Sequence, residues 1–386
     1  MPIVDELDAI SIESLRRGGG LKWTRFEDDV IGAFVAEMDF GTAPAVTDAL
    51  HHAVDAGAFG YLPPRLAREM AEACAAWQSS AYGWNVDADR IHPLADVIGG
   101  LEAAIEHFSE PGSAVVLPTP AYMPFFEVPG TLGRDIVEVP MLLDRNGRHR
   151  LDLDGIGRAL AERGNLLILC NPHNPTGRAF EPEELLALAA VVDAHGGRVF
   201  SDEIHAPLVY APARHVPYAS VSARAANHTI TATSASKAWN LPGLKCAQLI
   251  ISNERDAETW EEPGATIAHR ASNLGVVANT AAYTSGRAWL DDVLTYLDRN
   301  RRTLGDLLAA HMPAVAYTEP EGTYLAWLDC RALEIGPQPG EVFHERARVA
   351  LVEGARCGAP GHVRLNFATP GPILGEIVAR MSAAVS

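Results

Sequence analysis

The residues of this chain best suited to covalent chemistry lie within residues 231–248. Lys237 stands there in a Ser-Ala-Ser-Lys run, directly after an apolar stretch, His228 to Thr233, that predicts a short buried strand. A second cation, Lys245, follows a Pro-Gly pair. A lysine amine can attack a carbonyl carbon and hold it as an imine. Taken alone, however, a Ser-x-Ser-Lys run belongs more often to a solvated turn.

Two segments upstream supply groups that such a lysine would need. Residues 171–177 read Asn-Pro-His-Asn-Pro-Thr-Gly, and residues 201–205 read Ser-Asp-Glu-Ile-His. Each follows or completes an apolar run that predicts a strand, so the amide of Asn174 and the carboxylate of Asp202 come just past strand ends. Binding sites in parallel sheets form at these carboxyl ends. The spacing therefore predicts that Asn174, Asp202 and Lys237 share one site.

The three segments, in this order, resemble the fold-type I pyridoxal phosphate (PLP) enzymes of the class I/II aminotransferase superfamily. Three N-terminal features narrow the resemblance: Lys22-Trp23, the Ala-Glu-Met-Asp-Phe box of residues 36–40, and the Gly-Ala-Phe-Gly-Tyr run of residues 57–61. Together with Asp-Glu-Ile-His, they are similar to the cystathionine β-lyase branch, the PatB/MalY-type C–S lyases. Glu37 replaces the usual Asp of the box and keeps its charge.

The resemblance implies a role for each residue around the cofactor ring. Lys237 would carry the cofactor as a Schiff base and, once released, act as the base beside the substrate Cα. Asp202 would pair with the pyridine nitrogen and keep the ring protonated. Asn174 would bond the ring hydroxyl, His205 would lie beside the ring, and Tyr122 would stack on it. The alternative for Asp202 is an N-cap or half of an internal ion pair, and without the resemblance a single aromatic such as Tyr122 is more often part of the core.

The resemblance also implies ligands for the phosphate and the substrate. The phosphate would meet the backbone of Val97 and Ile98 at a helix start, where free N–H groups and the helix dipole favour anions. Its other ligands would be Ser234, Ser236, Lys245 and, from the neighbouring subunit of a homodimer, Tyr61. Arg364 would clamp the substrate α-carboxylate. Asp96 stands where the family often has Gly, which leaves the register of this helix start open.

Alternating strands and helices fill the middle of the chain and predict an α/β fold. The predicted strands are 114–118, 136–139, 166–170, 198–201, 229–233 and 248–252; the predicted helices are 65–80, 155–163, 183–194 and 287–311. Residues 92–108 are typical of a turn that leads into a helix. We expect a mainly parallel sheet, of the seven-stranded type that the resemblance implies, in a large PLP-binding domain of residues 46–286. Residues 1–45, predicted to be an irregular arm, would join residues 287–386 in a smaller α+β domain.

Composition argues against several other classes of protein. The net charge of −18 disfavours nucleic acid or an anionic membrane as a partner, and no apolar run approaches the roughly twenty residues that span a bilayer. The acidic N-terminus lacks a signal pattern. Five scattered cysteines fit reduced thiols in a cytoplasmic protein. The 14 histidines show no metal-ligand spacing, so we expect no metal site.

We therefore expect a cytoplasmic, homodimeric PLP lyase that acts on a small amino acid in sulfur amino acid metabolism, such as methionine biosynthesis. It would cleave cystathionine or related cysteine S-conjugates by α,β-elimination to pyruvate, ammonia and a thiol. A PLP-dependent aminotransferase, acting on an amino acid and a 2-oxo acid, would use the same catalytic residues and stays open as an alternative. A more remote alternative is a regulatory or binding protein on the same fold.

Overall fold

The computed structural model describes residues 2–385, with side chains from Val4 onward. Its helices α1 to α15 are Pro2–Asp8, Ile12–Arg17, Leu21–Thr24, Pro44–Asp55, Pro64–Tyr82, Val97–His107, Pro124–Thr131, Leu153–Glu162, Pro182–Ala194, Ala223–His228, Glu254–Ile267, Asn273–Ser285, Arg287–His311, Pro339–Val342 and Gly371–Val385. Its strands β1 to β15 are Ile31–Gly32, Ile91–Leu94, Ala114–Thr119, Ile136–Pro140, Leu142–Leu143, His149–Arg150, Gly164–Cys170, Arg198–Asp202, Thr229–Thr233, Ala247–Ile251, Ala316–Tyr317, Leu325–Asp329, Val349–Ala350, Val352–Glu353 and His362–Asn366.

Seven strands form the central sheet in the order β2-β10-β9-β8-β7-β3-β4. The five strands β9, β8, β7, β3 and β4 are parallel to one another, whereas β10 runs antiparallel to both β9 and β2. The expected α/β architecture with a mainly parallel sheet is confirmed. Strand β2 is a correction, because residues 92–94 were predicted to be a turn. This strand lies at the edge of the sheet, where its Pro93 is tolerated.

Both faces of this sheet are buried, as the apolar strands require. Leu166 and Ile168 of β7 face a core cluster that includes Leu101 and Trp260, while Leu167 and Leu169 face a second cluster with helices α8 and α9. Successive side chains of a strand point to opposite faces, so a fully apolar strand needs cover on each side.

The register of the parallel strands aligns their carboxyl ends. Cys170 of β7 pairs with Asp202 of β8, which in turn pairs with Ala232 of β9. The three loops that follow these strands therefore leave the same edge of the sheet. Those loops carry the Asn174, His205 and Lys237 segments of the sequence.

The N-terminal region is more regular than the sequence predicted. Residues 1–45 were expected to be irregular, but α1, α2 and α3 lie among residues 2–24. Helices this short are not stable alone and form because they pack on the body. Lys22 anchors the region through a buried ion pair, its Nζ lying 2.8 Å from Asp39 Oδ2, and Trp23 Nε1 donates to Asp39 Oδ1 at 2.7 Å.

A second, antiparallel sheet of four strands, in the order β11-β12-β15-β14, lies in the C-terminal part of the chain. Its apolar side chains share one core with α13, α15 and the N-terminal arm. The arm also joins this part directly, because β1 pairs in parallel with β13.

All five cysteines are buried and free, as expected for reduced thiols. Across residues 2–385, none of the helices combines the length and the apolar character needed to cross a membrane.

Candidate functional site

Lys237 lies in the tight turn that follows strand β9. Its Nζ donates a hydrogen bond to the backbone oxygen of Ala36 at 2.9 Å, so the N-terminal arm holds the end of the side chain. Burial, together with the positive charge of Arg364, lowers the pKa of Lys237 to about 8. A substantial fraction of this amine is therefore neutral, and thus nucleophilic, near pH 8.

Asp202 is the last residue of β8, and its side chain is 5% exposed. Its Oδ1 accepts a hydrogen bond from Ile204 N at 3.0 Å, while Oδ2 makes none with any described residue. Burial raises the pKa of Asp202 to about 7. A cation placed against Oδ2 would favour the ionised carboxylate, so the environment of Asp202 suits a protonated ring nitrogen.

Arg364 and Asn174 meet although 190 residues separate them in sequence. Arg364 Nη1 donates to Asn174 Oδ1 at 3.0 Å, and Nη2 donates to Phe34 O at 2.8 Å. Arg364 is 2% exposed and has no acidic partner among residues 4–385. Its Nε also lacks a hydrogen-bond partner there. A buried guanidinium without a counter-ion is suited to bind a carboxylate.

His205 and Tyr122 are far apart in the sequence but border the same open space. The His205 ring is buried, and its Nδ1 finds no hydrogen-bond partner in the described part of the chain. Burial lowers the pKa of His205 well below its usual value, so the ring is neutral. Tyr122 is half-buried and contacts Phe125 edge-on, with ring centroids 5.5 Å apart.

Helix α6 begins at Val97, with Asp96 as its N-cap. Asp96 Oδ1 accepts a hydrogen bond from Gly99 N at 2.9 Å, and Oδ2 lies 3.0 Å from Lys245 Nζ. The Asp96 that left the register open is therefore the helix cap. Its ion pair with Lys245 offsets the negative charge at this helix start, although the pair is largely exposed.

The two serines before Lys237 have different positions. Ser236 borders the open space, whereas Ser234 lies behind it and donates from Oγ to Cys246 O at 2.7 Å. The two hydroxyl oxygens are 2.6 Å apart. Ser234 therefore contacts Ser236 and does not itself border the open space.

These groups surround one cavity of about 450 Å³. Nine of the twelve residues predicted for the site line it, namely Val97, Ile98, Tyr122, Asn174, Asp202, His205, Ser236, Lys237 and Lys245. Arg364 adjoins the lining through Asn174, and Ser234 adjoins it through Ser236. Such a volume is in the range of small-molecule sites.

Tyr61 is the one predicted residue that lies apart from this cavity within its own chain. Its side chain is 90% exposed, and neighbouring Phe59 is 70% exposed. Both border a separate surface hollow of about 310 Å³ between residues 58–62 and 269–274. Tyr61 therefore contributes nothing to the Lys237 cavity of the same subunit.

Ala36, Cys170 and Glu127 are among the lining residues that were not predicted for the site. Ala36 contributes a backbone oxygen, which leaves no mark on side-chain type, although it lies in the box that was quoted. Cys170 ends β7, and Glu127 lies on α7 and makes no hydrogen bond or ion pair with any described residue. In the sequence, a carboxylate on a helix cannot be distinguished from an ordinary surface residue.

The cavity fits the group that the resemblance implied. It offers a primary amine, a carboxylate, a helix N-terminus for a phosphate and an unpartnered buried nitrogen on His205, and the unpartnered Nε of Arg364 adjoins it. Within residues 4–385, no three His, Cys, Asp or Glu side chains come close enough to hold a metal ion.

Comparisons with known proteins agree with this geometry. The model of the family "Aminotransferase class I and II" matches residues 29–375. The cystathionine β-lyase of Corynebacterium glutamicum is 38% identical over 374 residues, covering 96% of this chain and 98% of that protein. The cystathionine β-lyase PatB of Bacillus subtilis is 32% identical, covering 93% of each chain.

Solved structures include one of a candidate PLP-dependent β-cystathionase from Corynebacterium diphtheriae. It is 39% identical, covers 97% of this chain and 98% of its own, and superimposes with a TM-score of 0.91. These relatives match nearly the whole length of the chain, and the solved structure shares its fold. The chain belongs to the aminotransferase class I and II family, within the cystathionine β-lyase branch that its motifs predicted.

Proposed function

We propose that this protein is a PLP-dependent C–S β-lyase. It cleaves cystathionine or a related cysteine S-conjugate by α,β-elimination to pyruvate, ammonia and a thiol. The observation that carries the proposal is the cavity in which the amine of Lys237, the carboxylate of Asp202 and the Arg364–Asn174 pair converge. The relatives named as cystathionine β-lyases over 93% or more of this chain support the choice of reaction.

Residues of the cavity would hold PLP by its three ends. Lys237 would bind its aldehyde carbon, Asp202 its ring nitrogen and Asn174 its hydroxyl, with Tyr122 and His205 against the ring. The phosphate would lie at the start of α6, near the backbone of Val97 and Ile98 and the side chains of Ser236 and Lys245, with Ser234 behind them. When bound, PLP supplies an electron sink for the pair left when a Cα bond breaks.

The chain's own residues then orient the substrate and move one proton. Arg364 binds the α-carboxylate through its guanidinium, whose Nε has no partner, and this fixes Cα near Lys237. Once the substrate amine has displaced it from the cofactor carbon, Lys237 Nζ takes the proton from Cα; burial lowers its pKa to about 8, which favours the neutral form that this step needs. The Cβ–S bond breaks with loss of the thiolate, and water converts the three-carbon remainder to pyruvate and ammonia.

We also propose an oligomeric state and a cellular location for this protein. Tyr61 is 90% exposed in one chain, and we infer that it reaches the phosphate of the other subunit in a homodimer. Residues 46–286 would bind the cofactor, and residues 1–45 with 287–386 would form the arm and the smaller domain. Five buried, free cysteines support a cytoplasmic location, and the relatives named as cystathionine β-lyases support a role in sulfur amino acid metabolism.

The test is release of pyruvate and thiol from L-cystathionine by the purified protein, with no 2-oxo acid present. Steady release by the wild type, with loss of at least about a thousandfold in Lys237→Ala, is expected because that variant lacks the base and the imine. Turnover that appears only when a 2-oxo acid is added would make this protein an aminotransferase instead.

The small number of lysines in the chain provides a chemical control. The chain has only three lysines, at positions 22, 237 and 245. Borohydride reduction of the protein with PLP should fix the cofactor on Lys237 alone, as read by peptide mass mapping. Lys22, sequestered by Asp39, and Lys245, paired with Asp96, serve as internal controls. A label on either of them in place of Lys237 would contradict the assignment.

A further inference from the structure

A second buried carboxylate lies directly beside Asp202 in the chain. Glu203 is 1% exposed, and its side chain does not line the cavity. Both of its oxygens have partners: Oε1 accepts from Ser201 Oγ at 2.8 Å and from Tyr218 N at 2.9 Å, and Oε2 lies 3.0 Å from His215 Nε2. Three polar groups thus hold one buried carboxylate.

The His215 side chain that completes this set is buried as completely as Glu203. Its exposed fraction is 0%, and the edge of Tyr82 packs against it with ring centroids 4.9 Å apart. Its Nδ1 has no hydrogen-bond partner in the described part of the chain. The only polar contact of the ring there is thus the one to Glu203, so the two side chains act as a pair.

The backbone around Glu203 connects this pair to the candidate site. Glu203 N donates to Ala232 O on β9, and Glu203 O accepts from Ala206 N at 2.9 Å. These bonds fix the turn that leaves β8 with Asp202 at its start and His205 within it. A shift of Glu203 would therefore move both residues that face the cofactor ring.

The pair also affects charge at Asp202. Glu203 is one of the causes that raise the pKa of Asp202, since two neighbouring carboxylates repel each other. Donors that hold Glu203 on the far side of the strand and disperse its charge reduce that repulsion. Without them, an uncompensated buried charge would stand next to Asp202.

We propose that His215 is a positioning residue for the cofactor site: it holds Glu203 and offsets its charge, so that Asp202 stays ionised and aimed into the cavity. The inference rests on the proposed binding of PLP but not on the choice between lyase and aminotransferase. It concerns a residue outside the cavity, because His215 does not belong to the lining.

The test compares His215→Phe with the double variant Glu203→Gln/His215→Phe at pH 8, on the full chain. Binding of PLP is followed by the absorbance of the bound cofactor as free PLP is varied. His215→Phe keeps the ring volume but removes the donor, and we expect the dissociation constant of PLP to rise about tenfold, the effect of losing one hydrogen bond to a charged group. With amino acid substrate, kcat should fall while KM changes little.

The double variant separates the effect of the Glu203 charge on Asp202 from a merely structural role of His215. Glutamine removes the charge, so the dissociation constant of PLP in Glu203→Gln/His215→Phe should return to within about threefold of the wild type. The inference is wrong if His215→Phe binds PLP as the wild type does, or if the folded double variant is not restored. Absence of PLP binding by the wild type would instead overturn the proposed function.

A second route covers the case in which His215→Phe does not fold. Ser201→Ala removes a different donor to Glu203 with a smaller change in volume. It should weaken PLP binding in the same direction, and Glu203→Gln should again reverse the loss. Unfolding temperatures of all variants accompany the titrations, and wild-type PLP affinity in Ser201→Ala would contradict the inference.

Discussion

At the scale of single residues, the pKa of Lys237 sets how this protein takes up its cofactor. Burial and Arg364 lower that pKa to about 8, and only the neutral amine attacks an aldehyde. The rate at which the PLP-free protein captures PLP should rise about tenfold per pH unit below 8 and level off above it. Stopped-flow absorbance measures this rate.

The control for this prediction is Arg364→Met. Because Arg364 lowers the pKa of Lys237, its removal should move the midpoint of the pH profile upward. A midpoint near about 10.4, the value for an ordinary exposed lysine, in the wild type would contradict the prediction.

Asp202 should destabilise the PLP-free protein at neutral pH. Its pKa in the folded chain is about 7, above the unfolded value of about 3.9. The folded state therefore binds the extra proton, and this contribution to stability is present below about pH 4 and lost as pH rises through 7. Asp202→Asn should raise the free energy of unfolding at pH 8 by on the order of a few kcal/mol, while it abolishes catalysis.

Urea unfolding of the PLP-free proteins at pH 5 and pH 8 checks the sign. The advantage of Asp202→Asn over the wild type should be larger at pH 8, where wild-type Asp202 is ionised. An equal difference at the two pH values would show that burial does not raise the pKa of the Asp202 carboxylate.

At the scale of elements, Asp96 has two opposed effects at the start of helix α6. As the N-cap it stabilises the helix, but its charge competes with a phosphate at the same N–H groups. Asp96→Asn keeps a capping oxygen without the charge, so stability should hold and PLP should bind more tightly. Asp96→Ala should lower stability by about 1 kcal/mol. Thermal unfolding and PLP titration separate the two variants, and weaker PLP binding in Asp96→Asn would contradict this view.

Elements were predictable from the sequence where local pattern decides, and less so where tertiary contacts decide. Apolar runs bounded by turns located β3, β4, β7, β8, β9 and β10 within about two residues, because strands inside a sheet that is covered on both faces are rich in apolar residues. The arm helices and β2 were missed, since short segments of this kind gain their stability from packing.

The same division holds for the candidate site. Side chains at strand ends, such as Asp202 and Lys237, were predictable from spacing and motif. The Ala36 carbonyl and the Glu203–His215 pair were not, because a backbone contact and a 12-residue separation leave no local pattern.

At the scale of the whole molecule, one subunit does not supply every residue that the resemblance assigns to the site. Tyr61 lies on the surface, 90% exposed beside Phe59. An exposed aromatic pair of this kind is typical of a contact surface. We expect a homodimer in which each Tyr61 completes the phosphate site of the other subunit.

Mixed dimers test this arrangement. Lys237→Ala lacks the base and should be inactive, and Tyr61→Ala should bind PLP weakly and turn over slowly. A heterodimer of the two contains one site with wild-type Lys237 from one chain and wild-type Tyr61 from the other, if Tyr61 acts across the interface. After subunit exchange by mild denaturation and refolding, the activity of the mixture should therefore rise above that of either variant. Each heterodimer should approach half of the activity of a wild-type dimer. If Tyr61 instead served its own subunit, or if the protein were a monomer, no site would regain both residues and mixing would restore nothing.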